Sequence, residues 1–179
     1  LSQTKVSIMK SIRKIVATIA TAFALTTAAQ AQTIVEIASD DDRFSTLVAA
    51  VSAAGLVDTL NSDGPFTVYA PLNSAFDALP EGTVETLLKP ENKDQLTNVL
   101  LYHVDDRLLR AADFPHGSNY FKPVLTSERL CITSDGSGVT IADGTGDVAN
   151  VVVANIHADN GVIHVIDKVL LPGTRPACH

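Results

Sequence analysis

The sequence predicts an α+β fold, with helices in the first half of the chain and strands in the second. Apolar side chains recur at helical spacing across residues 41–102, and from residue 119 onward they follow the period-two alternation of strands. Short Gly-containing segments at 135–138 and 143–146 separate the strand-like runs and favour hairpins. Helices grouped before strands, without regular alternation, are typical of an α+β domain rather than a doubly wound sheet.

The helical half contains four predicted helices. Asp41 or Asp42 begins the first helix, and Gly55 ends it. Its apolar residues have the i, i+3, i+4, i+7 spacing of an amphipathic helix: Phe44, Leu47, Val48 and Val51. Asn73 is predicted to cap a short second helix through Phe76. The other two are predicted at 83–88 and from Pro90, a residue suited to a first turn, to Leu100.

The predicted strands begin with a short run at 66–70, among the helices. Five more follow in the second half, at 119–125, 129–133, 139–142, 148–154 and 162–171. In the last strand, successive side chains point to opposite faces. One face is apolar except for Asp167, and the other carries His164 and Lys168.

Composition limits the kinds of partner. The chain has 179 residues, of which 46% are hydrophobic, with two Cys and a formal charge of −7. This length indicates one domain that can bury a core without metals or many disulfides. An acidic balance argues against nucleic acid as a partner, because phosphate binding depends on clustered Lys and Arg.

The first residues have the pattern of a secretory signal peptide. The basic residues before position 32 all lie within the first 14 positions: Lys5, Lys10, Arg13 and Lys14. An apolar run at 15–28 and the small residues at 29–31 follow, which predicts cleavage between Ala31 and Gln32. The alternative is a transmembrane anchor, but the run is shorter than the roughly 20 apolar residues of a span and contains several Thr.

The sequence therefore divides into three parts. Residues 1–8 precede Met9 and are an upstream leader or an addition to the natural chain, residues 9–31 are the signal peptide, and residues 32–179 are a single domain. That domain keeps nine basic residues and all twenty acids, which gives a charge of −11. It has no second apolar stretch long enough to span a bilayer, so we expect a secreted or periplasmic protein without a transmembrane segment.

The two cysteines are candidates for one disulfide. Cys131 lies in a predicted strand and Cys178 is next to last. A bridge would hold the C-terminal tail against the domain and contribute about 4 kcal/mol in the chain-entropy model. Two free thiols are the alternative, but oxidising compartments rarely leave two thiols unpaired, so we favour the bridge.

Three segments, taken in order, resemble the signatures of fasciclin domains. Residues 67–76 resemble the first signature, residues 101–104 the central Tyr-His motif, and residues 160–170 the second signature. The resemblance covers nearly all of residues 33–172, and one departure is Leu72, where the family more often has Thr. The positions that carry the motifs are Asn73, Phe76, Tyr102, His103, Asn160, Gly161, His164 and Asp167.

This resemblance implies a compact α+β domain whose core is a β-sandwich or wedge, covered by a helical layer formed mainly by the N-terminal half. It also implies a secreted or surface-attached adhesion protein, as in many bacterial members. It implies no catalytic chemistry and no cofactor.

His103 follows the fourth predicted helix, and we expect it to be a structural histidine bonded to backbone or to a carboxylate. The alternative is a metal ligand or general base. A metal would need His103, His157 or His164 to converge with carboxylates, and the sequence has no HExxH motif and no paired Cys, so no metal site is predicted. Asp167 is expected to be a buried acceptor.

The remaining motifs are weak. The acids at 40–42 and the turn at 143–147 suggest calcium, but the triplet lacks EF-hand spacing and suits a helix N-terminus.

There is no nucleophile elbow, P-loop or dinucleotide motif, and residues 136–138 are predicted to form a hairpin turn. A Ser-His-Asp arrangement is defined by geometry, so a hydrolase remains the second alternative.

In animal fasciclin domains, an Asp-Ile pair just before the second signature has been linked to integrin recognition. Alignment on Asn160 places Asn155 and Ile156 there, so an amide replaces the acid and argues against that receptor. The candidate adhesion surface is Asn155, Ile156 and His157, and the alternative is an ordinary strand end.

Together these observations predict a secreted, monomeric, non-enzymatic adhesion or surface-interaction module. Its partner would be a protein or a component of a cell surface or matrix. The first alternative is an extracytoplasmic binding protein for a small or saccharide ligand.

Overall fold

The computed structural model describes residues 31–179. The predicted leader at 1–8, and the predicted signal peptide at 9–31 apart from its last residue, lie outside the described residues. The helices of the described region are α1 Ile34–Asp40, α2 Ser45–Ala54, α3 Val57–Leu60, α4 Asn73–Asp77, α5 Thr83–Leu87 and α6 Lys93–Tyr102. Single 3-10 turns lie at Asp42–Phe44, Pro90–Asn92 and Ala111–Asp113. No helix in this region is long and apolar enough to cross a membrane.

Seven strands form one sheet in the order β2-β1-β7-β6-β5-β4-β3. They are β1 Phe66–Pro71, β2 Val104–Asp105, β3 Gly117–Phe121, β4 Leu130–Ser134, β5 Val139–Ala142, β6 Val148–Ala158 and β7 Gly161–Ile166. β1 and β7 are parallel, and every other neighbouring pair is antiparallel. The helices precede all but one strand, so the α+β class predicted from the sequence is confirmed.

The parallel strands β1 and β7 are buried on both faces, and they divide the core in two. Ile163 of β7 and Val68 of β1 belong to one apolar cluster with residues of α1, α2 and α6. Ile166 of β7 and Tyr69 of β1 face the other way and pack with residues of β4 and β5. One face of the sheet is therefore covered by the helices, and the sheet curls around a second core on its other face. This arrangement is the wedge with a helical layer that the family resemblance implied.

The first predicted helix is present, but it begins as a 3-10 turn. Asp41 caps that turn, because its carboxylate accepts the backbone N–H of Arg43 at 3.0 Å. Gly55 ends α2 in the left-handed conformation, with φ 72°, which glycine adopts without steric penalty. The apolar pattern did not predict α1, although Thr33 and Glu36 form a capping box that the Thr-x-x-Glu spacing encodes.

Two predicted strands were drawn too long at their C-terminal ends. β3 ends at Phe121 rather than at 125, because Val124 donates its N–H to Val104 and has left the edge of the sheet. β7 ends at Ile166 rather than at 171. The N–H of Asp167 still donates to the carbonyl of Asn150 in β6, whereas the N–H groups of Leu170 and Leu171 donate to the side chains of His103 and Asp143.

β6 was drawn too short. It was predicted to end at residue 154 and continues to Ala158. Its register with β7 shifts between Val151 and Val153, and again between Val153 and Ile156. Such bulges interrupt the alternation by which a strand is recognised in a sequence.

Asn73 does not cap α4, and this prediction was wrong. Leu72 occupies the cap position, and no side chain bonds the first turn. The Asn73 side chain instead connects two segments: its Oδ1 accepts the N–H of Thr46 at 3.1 Å, and its Nδ2 donates to the carbonyl of Asp42 at 2.8 Å.

The C-terminal tail lies on β3 and β4. Cys131 and Cys178 form a disulfide with a Cα–Cα distance of 5.5 Å. The Tyr120 hydroxyl donates to the carbonyl of Pro176 at 2.8 Å, and the Arg175 guanidinium lies 3.9 Å from the centre of the Tyr120 ring. These contacts hold the tail against the face of the hairpin that points away from the core.

Candidate functional site

His103 lies at the C-terminal end of α6 and is buried. Its Nδ1–H donates to the carbonyl of Val99 at 2.7 Å, and its Nε2 accepts the N–H of Leu170 at 2.9 Å. Burial lowers the pKa of the ring to about 4, which outweighs the opposing effects of the Val99 carbonyl and of Asp143. The imidazole is therefore neutral at pH 7, and both nitrogens are engaged by backbone.

His164, in β7, makes the complementary pair of bonds. Its Nε2–H donates to the carbonyl of Leu109 at 2.6 Å, and its Nδ1 accepts the N–H of Asn155 at 3.3 Å. The ring lies between Tyr69 and Phe114, with centroid distances of 6.0 Å and 5.7 Å. Burial lowers the pKa of this imidazole as well. His103 and His164 thus hold opposite tautomers, each fixed by a backbone donor and a backbone acceptor.

Neither imidazole is arranged as a general base. A catalytic base needs one ring nitrogen within hydrogen-bond reach of a nucleophile or of a water that contacts substrate. Both nitrogens of His103 and of His164 are committed to main-chain groups in the interior. The hydrolase alternative therefore receives no support from these two residues.

The second signature is a junction between β7 and the helical layer. Asn160 accepts the N–H of Ile34 at 3.0 Å through Oδ1, and its Nδ2 donates to the carbonyls of Leu60 and Ser62. A Cβ added to Gly161 would lie 2.0 Å from the carbonyl oxygen of Phe66, which leaves no room for any other residue. The order Asn-Gly is therefore required by packing at this place.

The remaining motif residues also bond to or pack against other groups of the fold. The Tyr102 hydroxyl donates to the carbonyl of Arg129 at 2.7 Å, and Phe76 is half-buried against two apolar clusters. Asp167 is half-buried rather than fully buried as expected. Its carboxylate accepts the backbone N–H of Asn150 at 2.7 Å and the side-chain amide of the same residue at 2.8 Å.

Asp143 is a structural residue that the sequence pattern did not single out by itself. It is 1% exposed, and one carboxylate oxygen accepts both the N–H and the hydroxyl of Thr145 and the N–H of Asp147. The other oxygen accepts the N–H of Leu171 at 2.9 Å. Residues 143–147 therefore form a turn held by internal donors. Among residues 31–179, no three His, Cys, Asp or Glu side chains are grouped so that they could hold a metal ion.

The three predicted adhesion residues lie within β6 rather than at its end, and only one is exposed. Asn155 has a left-handed backbone, with φ 59°, at the second register shift, and its Oδ1 accepts the N–H of Ala111 at 2.8 Å. Ile156 is half-buried against the helical side of the core. His157 is exposed. Asn155 thus positions this segment, and His157 presents its side chain to solvent.

An exposed apolar stretch lies immediately before these residues. Val152 and Val153 are 50% and 40% exposed, and Ala154 is also exposed. We call Val152, Val153, Ala154 and His157 the β6 strip. In the sequence, the β6 strip is marked by four consecutive small apolar residues at 151–154. Strand alternation alone would place these four residues on the two faces of the sheet in turn.

A groove of about 440 Å³ runs beside the β6 strip. It opens because β5 pairs with β6 only as far as Asn150, so the next residues of β6 have no neighbour from β5. Ala111, Phe114 and Val139 contribute to its walls together with Val152. By contrast, the cavity under the helical layer is lined mainly by apolar side chains and measures about 30 Å³, which is too small for a saccharide.

Known proteins resemble this chain both in sequence and in fold. The fasciclin domain model matches residues 42–172, nearly three quarters of the chain. The chain therefore belongs to the fasciclin family, as the three sequence motifs predicted.

Similar proteins come from bacteria and animals. Protein sll1483 of Synechocystis is 49% identical over 144 residues, which cover 79% of this chain and 74% of that protein. The pig transforming growth factor-beta-induced protein ig-h3 is 41% identical over 140 residues, 78% of this chain but 19% of that protein. Among solved structures, a domain pair from the insect cell adhesion molecule fasciclin I matches this chain with a TM-score of 0.54 and 22% identity. The match covers 70% of this chain and 43% of the insect chain, and it shows the fold.

Proposed function

We propose that this chain is a secreted, non-enzymatic adhesion or surface-interaction module, with residues 1–8 an upstream leader or an addition to the natural chain, residues 9–31 a signal peptide and residues 32–179 a single fasciclin domain. A disulfide at Cys131–Cys178 suits an oxidising compartment. The insect protein of similar fold is a cell adhesion molecule, and we infer the same kind of role for this chain. The partner is a protein or a component of a cell surface or matrix, which the module meets as a monomer.

The observation that carries this proposal is the β6 strip. The motif residues that could have served chemistry, His103, His164 and Asp167, bond to groups of the fold itself. The β6 strip instead presents apolar side chains to solvent on a strand that is anchored in the sheet. Contiguous exposed apolar residues bordered by polar groups are typical of protein interaction sites.

The net charge of the proposed mature domain narrows the partner. At −11, this domain is repelled by bare anionic membranes and by heparin-like chains. We expect no retention on a heparin column at low salt, and tight retention would contradict this part of the proposal. The partner surface is neutral, cationic or bridged by a metal ion.

The adhesion proposal is tested with a deletion strain and with purified protein. Attachment of the deletion strain to host cells or to a protein-coated surface should fall, and added purified protein should change the attachment of wild-type cells in a dose-dependent way. A heat-unfolded sample of the same protein is the control. If neither manipulation alters attachment, the adhesion proposal fails.

The groove favours one alternative, an extracytoplasmic binding protein for a small or saccharide ligand. Its volume of about 440 Å³ lies in the range of small-molecule sites. His116 and Ser134 supply polar groups at its walls. Titration of the purified protein with a panel of sugars and short peptides, followed by NMR shifts of Phe114 and Val139, separates this alternative from a protein partner at the β6 strip.

A further inference from the structure

We propose that His164 is a positioning residue that makes the β6 strip sensitive to acid: protonation of its ring breaks the bond between β7 and the backbone of the bulge at Asn155, while the domain stays folded. The effect on attachment rests on the proposed function. The loss of the bond concerns only these residues and can be measured without a partner.

The bulge and the segment at 109–111 are joined by a closed set of bonds. The N–H of Asn155 reaches Nδ1 of His164, and Nε2–H of His164 reaches the carbonyl of Leu109. The Asn155 side chain then accepts the N–H of Ala111, which completes the set. Among residues 31–179, His164 is therefore the one side chain of β7 that bonds both to the bulge and to this segment.

Protonation reverses the role of one nitrogen in this set. The neutral ring carries its proton on Nε2, so Nδ1 is free to accept from Asn155. A second proton must be placed on Nδ1, where it faces the N–H of Asn155, and two donors then point at each other. The bond at Asn155 is lost, whereas the bond to Leu109 is kept.

Among residues 31–179, no carboxylate forms a hydrogen bond with the ring of His164 that would favour the charged form. From β1 it faces Tyr69, whose phenol is neutral because burial and the charge of Asp105 raise its pKa. From the segment before β3 it faces the Phe114 ring. The charged residues of that segment, Arg110 and Asp113, are exposed and bond to each other. A second proton on Nδ1 of His164 therefore has no compensating partner in the interior, and Nδ1 and the N–H of Asn155 must move apart.

The effect of losing this bond is local because few other bonds hold the bulge. Asn155 lies within the second register shift of β6 against β7, and β5 no longer pairs with β6 at this point. The left-handed backbone of Asn155 is an unfavourable conformation for a residue with a side chain, and its bonds to His164 and Ala111 help to hold it. The residues of the β6 strip flank Asn155, so they lose their present positions when its bond to His164 is lost.

The test is an amide NMR titration of the isotope-labelled mature protein from pH 7.5 to 4.5. The amides of Asn155 and Ala111 should shift with one common midpoint, below the ordinary range of histidine, and the ring nitrogens of His164 should titrate at that same midpoint. Amides of β4, which does not pair with β6 or β7, should keep their positions. His164→Asn places an amide oxygen where Nδ1 was and does not titrate, so the common transition should disappear in that variant.

His157→Asn is the matched control, because His157 is an exposed histidine on β6, the strand that carries Asn155, and the transition should persist in that variant. A transition that survives in His164→Asn overturns the proposal. So does the absence of any common midpoint in the wild-type protein, or unfolding of the whole domain at the same pH. Attachment at pH 7.5, measured separately, tests the proposed function and does not affect this outcome.

Discussion

The imidazole of His103 and the backbone of Leu170 are joined by a hydrogen bond of 2.9 Å, in which the Leu170 N–H donates to Nε2. Through this bond the end of α6 holds the segment that follows β7. Nδ1–H of the same ring donates to the carbonyl of Val99, one turn earlier in α6. One buried side chain thus replaces a strand partner for residues that have already left the sheet.

Replacing His103 by Ala should lower the free energy of unfolding by about 1–3 kcal/mol, because the Leu170 N–H and the Val99 carbonyl are left buried without partners. The measurement is chemical denaturation followed by circular dichroism. His157→Ala, which removes an exposed imidazole, is the control and should leave the midpoint unchanged. An unchanged midpoint for His103→Ala would contradict the structural role.

Stability should decrease as the pH falls from about 6.5 to about 4. His103 has an ordinary pKa of 6.5 when unfolded and a pKa of about 4 in the fold, so between these values the unfolded chain binds a proton that the folded chain does not. The contribution of the neutral His103 ring to the free energy of unfolding is complete above pH 6.5, and about 3 kcal/mol of this contribution is lost by pH 4. The lowered pKa of His164 acts in the same direction.

Denaturation curves at pH 7 and pH 4 measure this difference. In a His103→Gln variant, the difference should shrink, because the titrating group is gone. Equal pH dependence in the variant and the wild type would show that the loss comes from other groups.

The disulfide should contribute about 4 kcal/mol, since it closes a loop between residues 47 positions apart in the sequence. The double variant Cys131→Ala, Cys178→Ser should lose about this much stability and keep the fold of the sheet. The wild-type protein under reducing conditions is a second sample that should behave in the same way. Mass spectrometry that finds two alkylatable thiols in the untreated protein would rule the bridge out.

Gly161→Ala should reduce stability by about 3 kcal/mol or more, because its methyl group would meet the Phe66 carbonyl of the parallel neighbour β1. Gly138→Ala is the matched control: no atom lies within 4 Å of the added methyl group at that position. Thermal unfolding of the two variants provides the comparison. Equal melting temperatures would contradict the close approach of β1 and β7.

Removal of divalent cations should leave the melting temperature unchanged. The carboxylate of Asp143 already accepts bonds from Thr145, Asp147 and Leu171, so it does not depend on a bound ion. Thermal unfolding with and without EDTA measures this, and a drop of several degrees would indicate a calcium site after all.

The sequence predicted those parts of the fold whose signals are local. The stripe that includes Phe44 and Val51 defines α2, and Gly55 defines its end, because helical spacing and a left-handed cap are set by nearby residues. The strand at 139–142 was placed at its observed bounds for the same reason. The family resemblance then supplied the arrangement of these elements, which periodicity alone does not contain.

The site was harder to predict, because its bonds connect distant parts of the chain. His103 was expected to be structural, but its bond to Leu170 spans 67 residues and cannot be read from either neighbourhood. Asn155 was expected at a strand end, yet it lies at a bulge that depends on Ala111, 44 residues earlier. The exposure of the β6 strip follows from where β5 stops pairing, which no pattern within residues 151–154 encodes.

The most direct test of the adhesion account compares two surface variants of β6 in a quantitative attachment assay. Val152→Ser, Val153→Ser removes apolar side chains from the β6 strip, and Val148→Ser removes one that is 44% exposed at the other end of the same strand. Both variants should fold with wild-type melting temperatures. We expect the double variant to lose most of the attachment activity and Val148→Ser to retain it. Equal attachment by both variants and the wild type would contradict the assignment of adhesion to the β6 strip.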